Sequence, residues 1–352
     1  MGRLGNILVS GSLLLTLHLP GYAQDDDKGD ASFVRNVSNK GTVAAAFLEI
    51  GIGARAEALG GAFTAQAGQA EMIYWNPAGL AYLDGMAVSL SHAQWLADTR
   101  FDFLTVAAPL PFFDAIVAAS FTSLSVPEQP VRTVSEPQGT GEFYDAQDYA
   151  VSVSVSARLI PSFSVGLSGK YIRQRIWTES ASQFALDVGV YYETPLRGLV
   201  IGSSISNFGP DMRLSGRHLT EILDPDPINK GIENVPVSYE TDGFSLPQIF
   251  RFGLSYRLQL PANSQVVLGV DLNHPTGSTE SVNVGVEVGF LQLLFVRAGY
   301  QNLYERKAAN SFTLGGGLQY VLKNRSRFAF DYAYSYWGIL QRVHRITLGI
   351  YL

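Results

Sequence analysis

Histidine, cysteine and serine are the residues with which many catalytic and metal sites work, and this sequence contains few of them in useful patterns. Its histidines are His18, His92, His218, His274 and His344, and none has the i, i+4 spacing of zinc ligands on a helix. Because the chain has no cysteine, disulfides and thiolate metal sites are excluded. We therefore expect no metal and no cofactor.

A serine nucleophile is not indicated either. The stretch closest to the nucleophile elbow Gly-x-Ser-x-Gly is residues 202–206, Gly-Ser-Ser-Ile-Ser, and it lies inside a predicted strand instead of at a strand-to-helix turn. The sequence also lacks the phosphate-binding pattern Gly-Lys-Ser/Thr. Catalytic groups set on a barrel wall stay open as an alternative, but the sequence favours a protein that is not an enzyme.

Composition points to a surface that meets lipid. Charged residues make up 16% of the chain and aromatic residues 12%, and there are 35 glycines among 352 residues. Low charge with abundant glycine and aromatic residues is unusual in a soluble enzyme. The formal net charge of −6 argues against a nucleic-acid partner.

From residue 86 onward, bulky apolar residues alternate with small or polar ones. In residues 149–158, for example, apolar odd positions oppose serines on the other face. The predicted strands are residues 86–95, 100–109, 114–123, 147–159, 163–173, 182–193, 198–207, 248–260, 264–273, 280–290, 293–301, 311–321, 327–337 and 343–352.

These strands predict an all-β transmembrane barrel of about 14 antiparallel strands. Their lengths suit tilted membrane strands, and single-chain bacterial barrels have an even number. Beyond the N-terminus no run of about 18 apolar residues occurs, so only a closed barrel would satisfy the backbone in lipid. Tight connectors alternate with longer ones, two of them very long at 124–146 and 208–247. In a soluble β-sandwich, the alternative fold, we would not expect short and long connectors to alternate in this way.

Charged side chains occupy the non-lipid face of the predicted strands. These lumen charges are Arg158, Lys170, Asp187, Arg251, Arg257, Asp271, Glu287, Arg297, Asp331 and Arg345. Neighbouring strands often carry opposite signs, which predicts the pairs Lys170–Asp187, Arg257–Asp271, Glu287–Arg297 and Asp331–Arg345. Cross-strand pairing that stabilises the wall is the favoured explanation, and a charged path for a solute is the alternative.

The N-terminal residues predict export. Residues 1–23 have the charge, the apolar stretch and the small-x-small end of a signal peptide, with a short membrane anchor as the alternative. Residues 24–40 predict a flexible mature N-terminus. Residues 41–85 lack period-two alternation, are rich in alanine and glycine, and predict a hatch, a plug inside a lumen wide enough to hold it. Residues 86–352 are predicted to form the barrel.

Two groups of hatch residues stand out. Asn76-Pro77 predicts a turn that starts a short helix, and small residues allow close packing against the wall. The hatch motif comprises Gly60, Gly61, Asn76, Pro77, Ala78 and Gly79. The apolar residues Phe63, Met72, Ile73, Tyr74 and Trp75 could line a pocket or simply pack the hatch, which is the commoner case.

The hatch sequence resembles a known family. Residues 53–56 (Gly-Ala-Arg-Ala), 59–63 (Leu-Gly-Gly-Ala-Phe) and 75–80 (Trp-Asn-Pro-Ala-Gly-Leu) are similar to the N-terminal block of the PorV/PorQ family, within the wider FadL-like group of outer-membrane barrels. Residues 91–98 also resemble it, and the likeness covers about residues 47–110. Many members of the family have an Asp-Asp pair before the Asn-Pro-Ala turn. This sequence has Gly68-Gln69-Ala70-Glu71 there, so Glu71 alone would replace the two acidic residues.

The resemblance implies two functions. In the PorV/PorQ branch, barrels act in type IX secretion or surface assembly, which would here use loops 124–146 and 208–247 to bind exported or surface proteins. In the FadL branch, hydrophobic small molecules pass a hatch-gated lumen. The sequence-based hypothesis is the first, with the second as the alternative.

The expected location is the bacterial outer membrane, with outer-membrane lipid around the barrel and both termini in the periplasm. The last strand, 343–352, should pair with 86–95, and its apolar last residue resembles the signal that barrel-assembly machinery recognises.

Overall fold

The strands with alternating apolar and polar residues form a closed antiparallel barrel in the computed structural model. The structure describes residues 41–111, 114–223, 235–305, 312–322 and 326–352. The fourteen barrel strands are β1 Ala87–Gln94, β2 Arg100–Leu110, β3 Ala115–Pro130, β4 Phe143–Ile160, β5 Phe163–Ile176, β6 Glu179–Glu193, β7 Leu199–Phe208, β12 Ile249–Leu260, β13 Ser264–Pro275, β14 Ser281–Phe290, β15 Leu294–Leu303, β16 Phe312–Val321, β17 Arg327–Tyr336 and β18 Arg342–Tyr351. Around the barrel they follow the order β1-β18-β17-β16-β15-β14-β13-β12-β7-β6-β5-β4-β3-β2. The predicted fold class is confirmed.

Closure depends on the two end strands. β1 pairs with β18 from Ala87↔Tyr351 to Gln94↔His344, so no sheet edge is left in the ladder. Toward the turn end, outward positions on both strands are apolar, as in Leu90 opposite Leu348. Apolar residues face outward all around the barrel, which is what lipid requires of a spanning sheet.

One side of the barrel is taller than the sequence predicted. β3 continues to Pro130 and β4 begins at Phe143, so 11 of the 23 residues in 124–146 are strand and the loop is limited to residues 131–142. The expectation of one long loop there was wrong. The pairing continues past a bulge between Val126 and Gln129, which carries the hairpin beyond the rest of the wall.

The second long connector contains structure of its own. Within 208–247, β8 Met212–Arg213 pairs with β11 Gly243–Phe244, and β9 Thr220–Leu223 pairs with β10 Val235–Ser238. Ile222 and Leu223 on β9 are exposed. Residues 224–234 lie outside the described part.

Residues 41–85, the hatch, lie inside the barrel. They form two short helices, α1 Ala54–Ala58 and α2 Met72–Trp75, together with 3₁₀ segments at Ala46–Glu49 and Pro77–Tyr82. Most hatch side chains from Ile52 to Ala81 are buried. No helix in the described ranges is both long and apolar enough to cross a membrane.

The hatch runs from one end of the barrel to the other. Ala44 N donates to Ser245 O, at 2.9 Å, beside the long connectors, whereas Leu352 N donates to Met86 O at the end with the short turns. The described chain thus begins at the loop end and finishes at the turn end. The predicted signal peptide, 1–23, and mature N-terminus, 24–40, lie outside the described residues.

Candidate functional site

Glycines on the inner wall form the seat of the hatch. They lie on strands that are consecutive around the barrel, β5 to β7 and β12 to β16. A Cβ at any of them would lie between 2.0 and 2.9 Å from a hatch atom. We call this set the glycine belt; its members are Gly166, Gly189, Gly202, Gly253, Gly269, Gly285, Gly299 and Gly315. Because a side chain at these positions would occupy the hatch's space, the belt fixes how closely the hatch approaches the wall.

A chain of four charges ties α1 to the wall. Arg55 donates from Nε and Nη2 to both oxygens of Glu287, at 2.7 and 2.8 Å. Glu287 also accepts from Arg297 Nε at 2.6 Å, and Arg297 Nη1 donates to Asp331 at 2.6 Å. Glu287 and Arg297 are fully buried, so two positive and two negative groups balance one another away from water. The arrangement holds the hatch rather than leaving a free charged path.

Asp271 makes a second anchor of a different kind. Its Oδ2 accepts hydrogen bonds from the backbone N–H groups of Phe63 and Thr64, both at 2.9 Å. Just before this turn, Gly60 has φ +67°, and a Cβ there would meet Tyr300 N at 2.8 Å. The turn therefore needs glycine for both its conformation and its contact with the wall.

Asn76 joins the hatch turn to the wall. Its Oδ1 accepts from Ala78 N at 3.1 Å and caps the 3₁₀ segment that begins with Pro77. Its Nδ2 donates to Thr64 O and to Val190 O on β6, both at 2.9 Å. Ala78 O in turn accepts from wall serines, Ser156 and Ser164. A Cβ at Gly79 would lie 2.8 Å from Gln66 O. The motif's role in this structure is to pack and bind the hatch.

Glu71 is a buried hatch carboxyl. One of its oxygens accepts from Ser89 on β1, and the other has no hydrogen-bond partner among the described residues. Burial raises the pKa of Glu71 above its usual range, and the hydrogen bond from Ser89 opposes this shift only in part. The protonated form is therefore favoured more strongly than in water.

Two cavities lie on opposite sides of α1. The loop-end cavity, about 380 Å³, is lined by Glu57, Tyr74, Trp75, Trp95 and Trp337, among others. The turn-end cavity, about 420 Å³, is lined by Arg55, Arg257, Gln319, Arg327 and Tyr351, among others. Arg55 and Glu57, which lie two positions apart on α1, thus face different cavities. The structure places α1 as a partition between the two ends of the lumen.

The predicted apolar hatch residues divide into two groups. Phe63, Met72 and Ile73 are at most 1% exposed and serve mainly as core. Tyr74 and Trp75 contact the loop-end cavity, while the Tyr74 hydroxyl donates to Leu48 O and Trp75 Nε1 donates to Ile52 O. The geometry brings the five together as packing, with two of them at a cavity wall.

The remaining lumen charges have varied surroundings. Lys170 Nζ lies 2.7 Å from Asp187, as expected, and also donates to Asn207 at 2.8 Å. Arg251 lies over the rings of Tyr74 and Trp75, with 5.4 Å to each centroid. Arg158 is partly exposed at the turn end, 3.8 Å from Asp114.

Two expected cross-strand pairs are not formed. Asp271 binds the hatch backbone instead of Arg257, which faces the turn-end cavity. Asp331 binds Arg297, and Arg345 lies over Phe101 with both Nη atoms lacking a hydrogen-bond partner in the described part of the chain. The expectation failed because it considered only wall neighbours, whereas the hatch and non-adjacent wall residues supplied other partners.

The glycine belt and Arg55 were missed as functional residues. Glycines at inward positions in successive strands were visible in the alternation, for example Gly253 and Gly285. Their regular recurrence was the available signal. The pattern of a single strand does not show which hatch atoms each glycine contacts.

Comparisons with known proteins find one family model that matches the N-terminal part and solved structures that share the fold. A model of an uncharacterised protein family, UPF0164, matches residues 28–109. No curated protein matches the chain. The fold is shared with two toluene transporters. The Pseudomonas putida toluene transporter TodX has a TM-score of 0.54 and 13% identity, covering 85% of this chain and 96% of that one. The Ralstonia pickettii toluene transporter TbuX has a TM-score of 0.51 and 12% identity, and the match covers 85% of this chain and 97% of that one. These likenesses show the barrel fold, and the PorV/PorQ resemblance stays a prediction.

Proposed function

We propose that the protein is a hatch-gated outer-membrane channel for hydrophobic small molecules. The observation that carries the proposal is the position of α1 between the two lumen cavities, since a solute crossing the barrel has to pass the hatch. The transporters with the same fold are described as carrying toluene, which makes small aromatic hydrocarbons the first substrates to test. This is the alternative function from the sequence, and it now takes precedence. We assign no catalytic role.

A reversible lock on the hatch tests the proposal. The chain has no cysteine, and a Cβ at Gly269 would lie 3.3 Å from the Ala62 Cβ, close to the spacing of a disulfide. In the double variant Ala62→Cys/Gly269→Cys, oxidation should reduce toluene entry into proteoliposomes to the level of empty liposomes, and a reductant should restore it. The two single variants are the controls, and Gly269→Cys alone measures how far a side chain in the glycine belt displaces the hatch. Equal toluene entry by the oxidised and reduced double variant would contradict the proposal.

A role in secretion or surface assembly is a second candidate. Ile222 and Leu223, on the small sheet in the connector 208–247, are 72% and 52% exposed, which suits contact with a partner protein. Crosslinking in intact outer membranes should then recover an exported or surface protein through this connector. If crosslinking recovers none while deletion of the channel abolishes hydrocarbon uptake, this second role is wrong. Placement of both chain termini in the periplasm, and recognition of β18 by barrel-assembly machinery, also belong to the proposals.

A further inference from the structure

The lipid-facing wall has a groove that crosses four neighbouring strands. Val153, Gly169, Leu186 and Phe208 stand directly opposite one another on β4, β5, β6 and β7 and form one row. Glycine supplies no side chain in this row, and a Cβ at Gly169 would meet no heavy atom within 4 Å. The groove has a volume of about 850 Å³. With strands about 4.8 Å apart, the row is roughly 14 Å long.

The sides of the groove are apolar and exposed. Val151, Tyr171 and Phe184 form the next row toward the loop end, and the Tyr171 and Phe184 rings lie 5.2 Å apart. Phe184 and Phe208 are 68% and 62% exposed, among the most exposed large side chains on the described wall. Such rings would be unfavourable in water, and they lie on the face that lipid covers.

An irregularity in β7 shapes one end. The β6–β7 register shifts between Leu186 and Val188, and Asn207 has φ +63°. Asn207 N donates to Asp187 Oδ1 and its Nδ2 donates to Pro247 O, so this bend is held from the lumen side. After Phe208 the chain leaves the barrel ladder at Gly209 and Pro210, which also line the groove.

The floor of the groove is closed. Gly169 pairs with Val153 on one side and with Leu186 on the other, so the sheet is continuous there. Behind it, Lys170 is paired with Asp187 and Asn207 in the lumen. The groove is therefore a depression in the wall instead of a passage through it.

We propose that this groove is a binding site for one hydrocarbon chain of a membrane lipid. It is continuous with the lipid-facing surface, its lining is apolar, and an empty depression would leave its side chains without the dispersion contacts that a flexible chain can supply. A chain that fills the depression gains dispersion contacts that it would not make against the flat wall, so a lipid seated here exchanges more slowly than lipid around the rest of the wall. The site is independent of hatch gating.

Native mass spectrometry of protein extracted from membranes in mild detergent tests the site. One retained lipid is expected on the wild type. Gly169→Leu fills the groove and should cause loss of the retained lipid, because the hydrocarbon chain no longer has the space in which it makes its dispersion contacts. Gly316→Leu is the matched control, because Gly316 also faces outward and a Cβ there meets nothing closer than 3.6 Å. Heat-modifiable migration on a gel establishes that both variants fold.

Three outcomes would overturn the inference. They are no retained lipid on the wild type, equal lipid retention in the two variants, or loss of toluene passage in Gly169→Leu with lipid retention unchanged. The last would mean that the groove takes the transported solute. Failure of the hatch lock, by contrast, leaves the lipid site unaffected.

Discussion

At the residue scale, Glu287 is the most constrained anchor, because two arginines from different parts of the chain converge on it. Glu287→Gln would leave Arg55 and Arg297 without their shared charge partner in a buried place. Breaking a buried pair in this way costs about 3–5 kcal/mol. We expect the folded band to convert at a clearly lower temperature on a heat-modifiability gel, and reconstituted barrels to leak a small hydrophilic solute.

The matched control for this change is Asp145→Asn. Asp145 and Arg175 also form an ion pair, but each side chain is more than a third exposed. A pair of that kind contributes about 0–1 kcal/mol, so the conversion temperature should hardly move. A similar drop in both variants would show that the Glu287 network does not hold the hatch.

Glu71 predicts a pH dependence whose sign follows from burial. Because its pKa is raised in the folded protein, Glu71 contributes stability below the ordinary carboxyl pKa of about 4.3 and loses that contribution as the pH rises through the raised value. Relative to Glu71→Gln, the wild type should therefore become less heat-resistant as the pH rises above the ordinary carboxyl pKa of about 4.3. Parallel pH profiles for the two proteins would refute this assignment.

For many of these residues the sequence predicted which face of the strand the side chain occupies, but not which residue it binds. Alternation showed which face Asp271 and Asp331 occupy. Their partners depend on a hatch more than 200 positions away in the chain for Asp271, and on a strand other than the expected one for Asp331. Distances of that kind are set by closure of the barrel, which no local pattern contains.

At the element scale, the glycine belt predicts that the position of the hatch depends on the absence of side chains at these wall positions. Gly285→Val would place atoms against the Leu59 carbonyl, which a Cβ alone would approach to 2.3 Å. Overpacking of this sort costs about 1–3 kcal/mol. We expect a folded barrel with a displaced hatch, measured as increased leak of a hydrophilic solute.

The control for the belt is Gly316→Val, on the lipid face of the same half of the barrel. It has open space outside the wall and no hatch contact. Equal leak from both variants would mean that the belt does not position the hatch.

The strands themselves were predictable because a sheet wetted by lipid on one side needs strict alternation. The extensions of β3 and β4 were not, since Gln129 and Phe143 lie beyond the lipid-facing repeat. The small sheets in the connector 208–247 contain strands of two to four residues, too short to show a period.

At the scale of the whole molecule, closure makes a direct prediction. Leu90 and Leu348 stand opposite each other on β1 and β18, the first and last strands. The variant Leu90→Cys/Leu348→Cys should form an intramolecular crosslink with a short bifunctional thiol reagent, seen as altered migration after denaturation. Leu90→Cys/Leu314→Cys, with Leu314 two strands further along on β16, should not crosslink. Crosslinking in neither variant would contradict closure.

The route of the hatch through the lumen has a mechanical consequence. Its turn-end segment leads within a few residues, through Leu83 to Gly85, into β1, whose ladder is fixed by two neighbours. Its loop-end segment is held by hydrogen bonds such as those of Ala44 and Ala45. Any large displacement must therefore begin at the loop end and pivot about residues 83–86, so that the plug swings on a fixed hinge and stays attached to the wall.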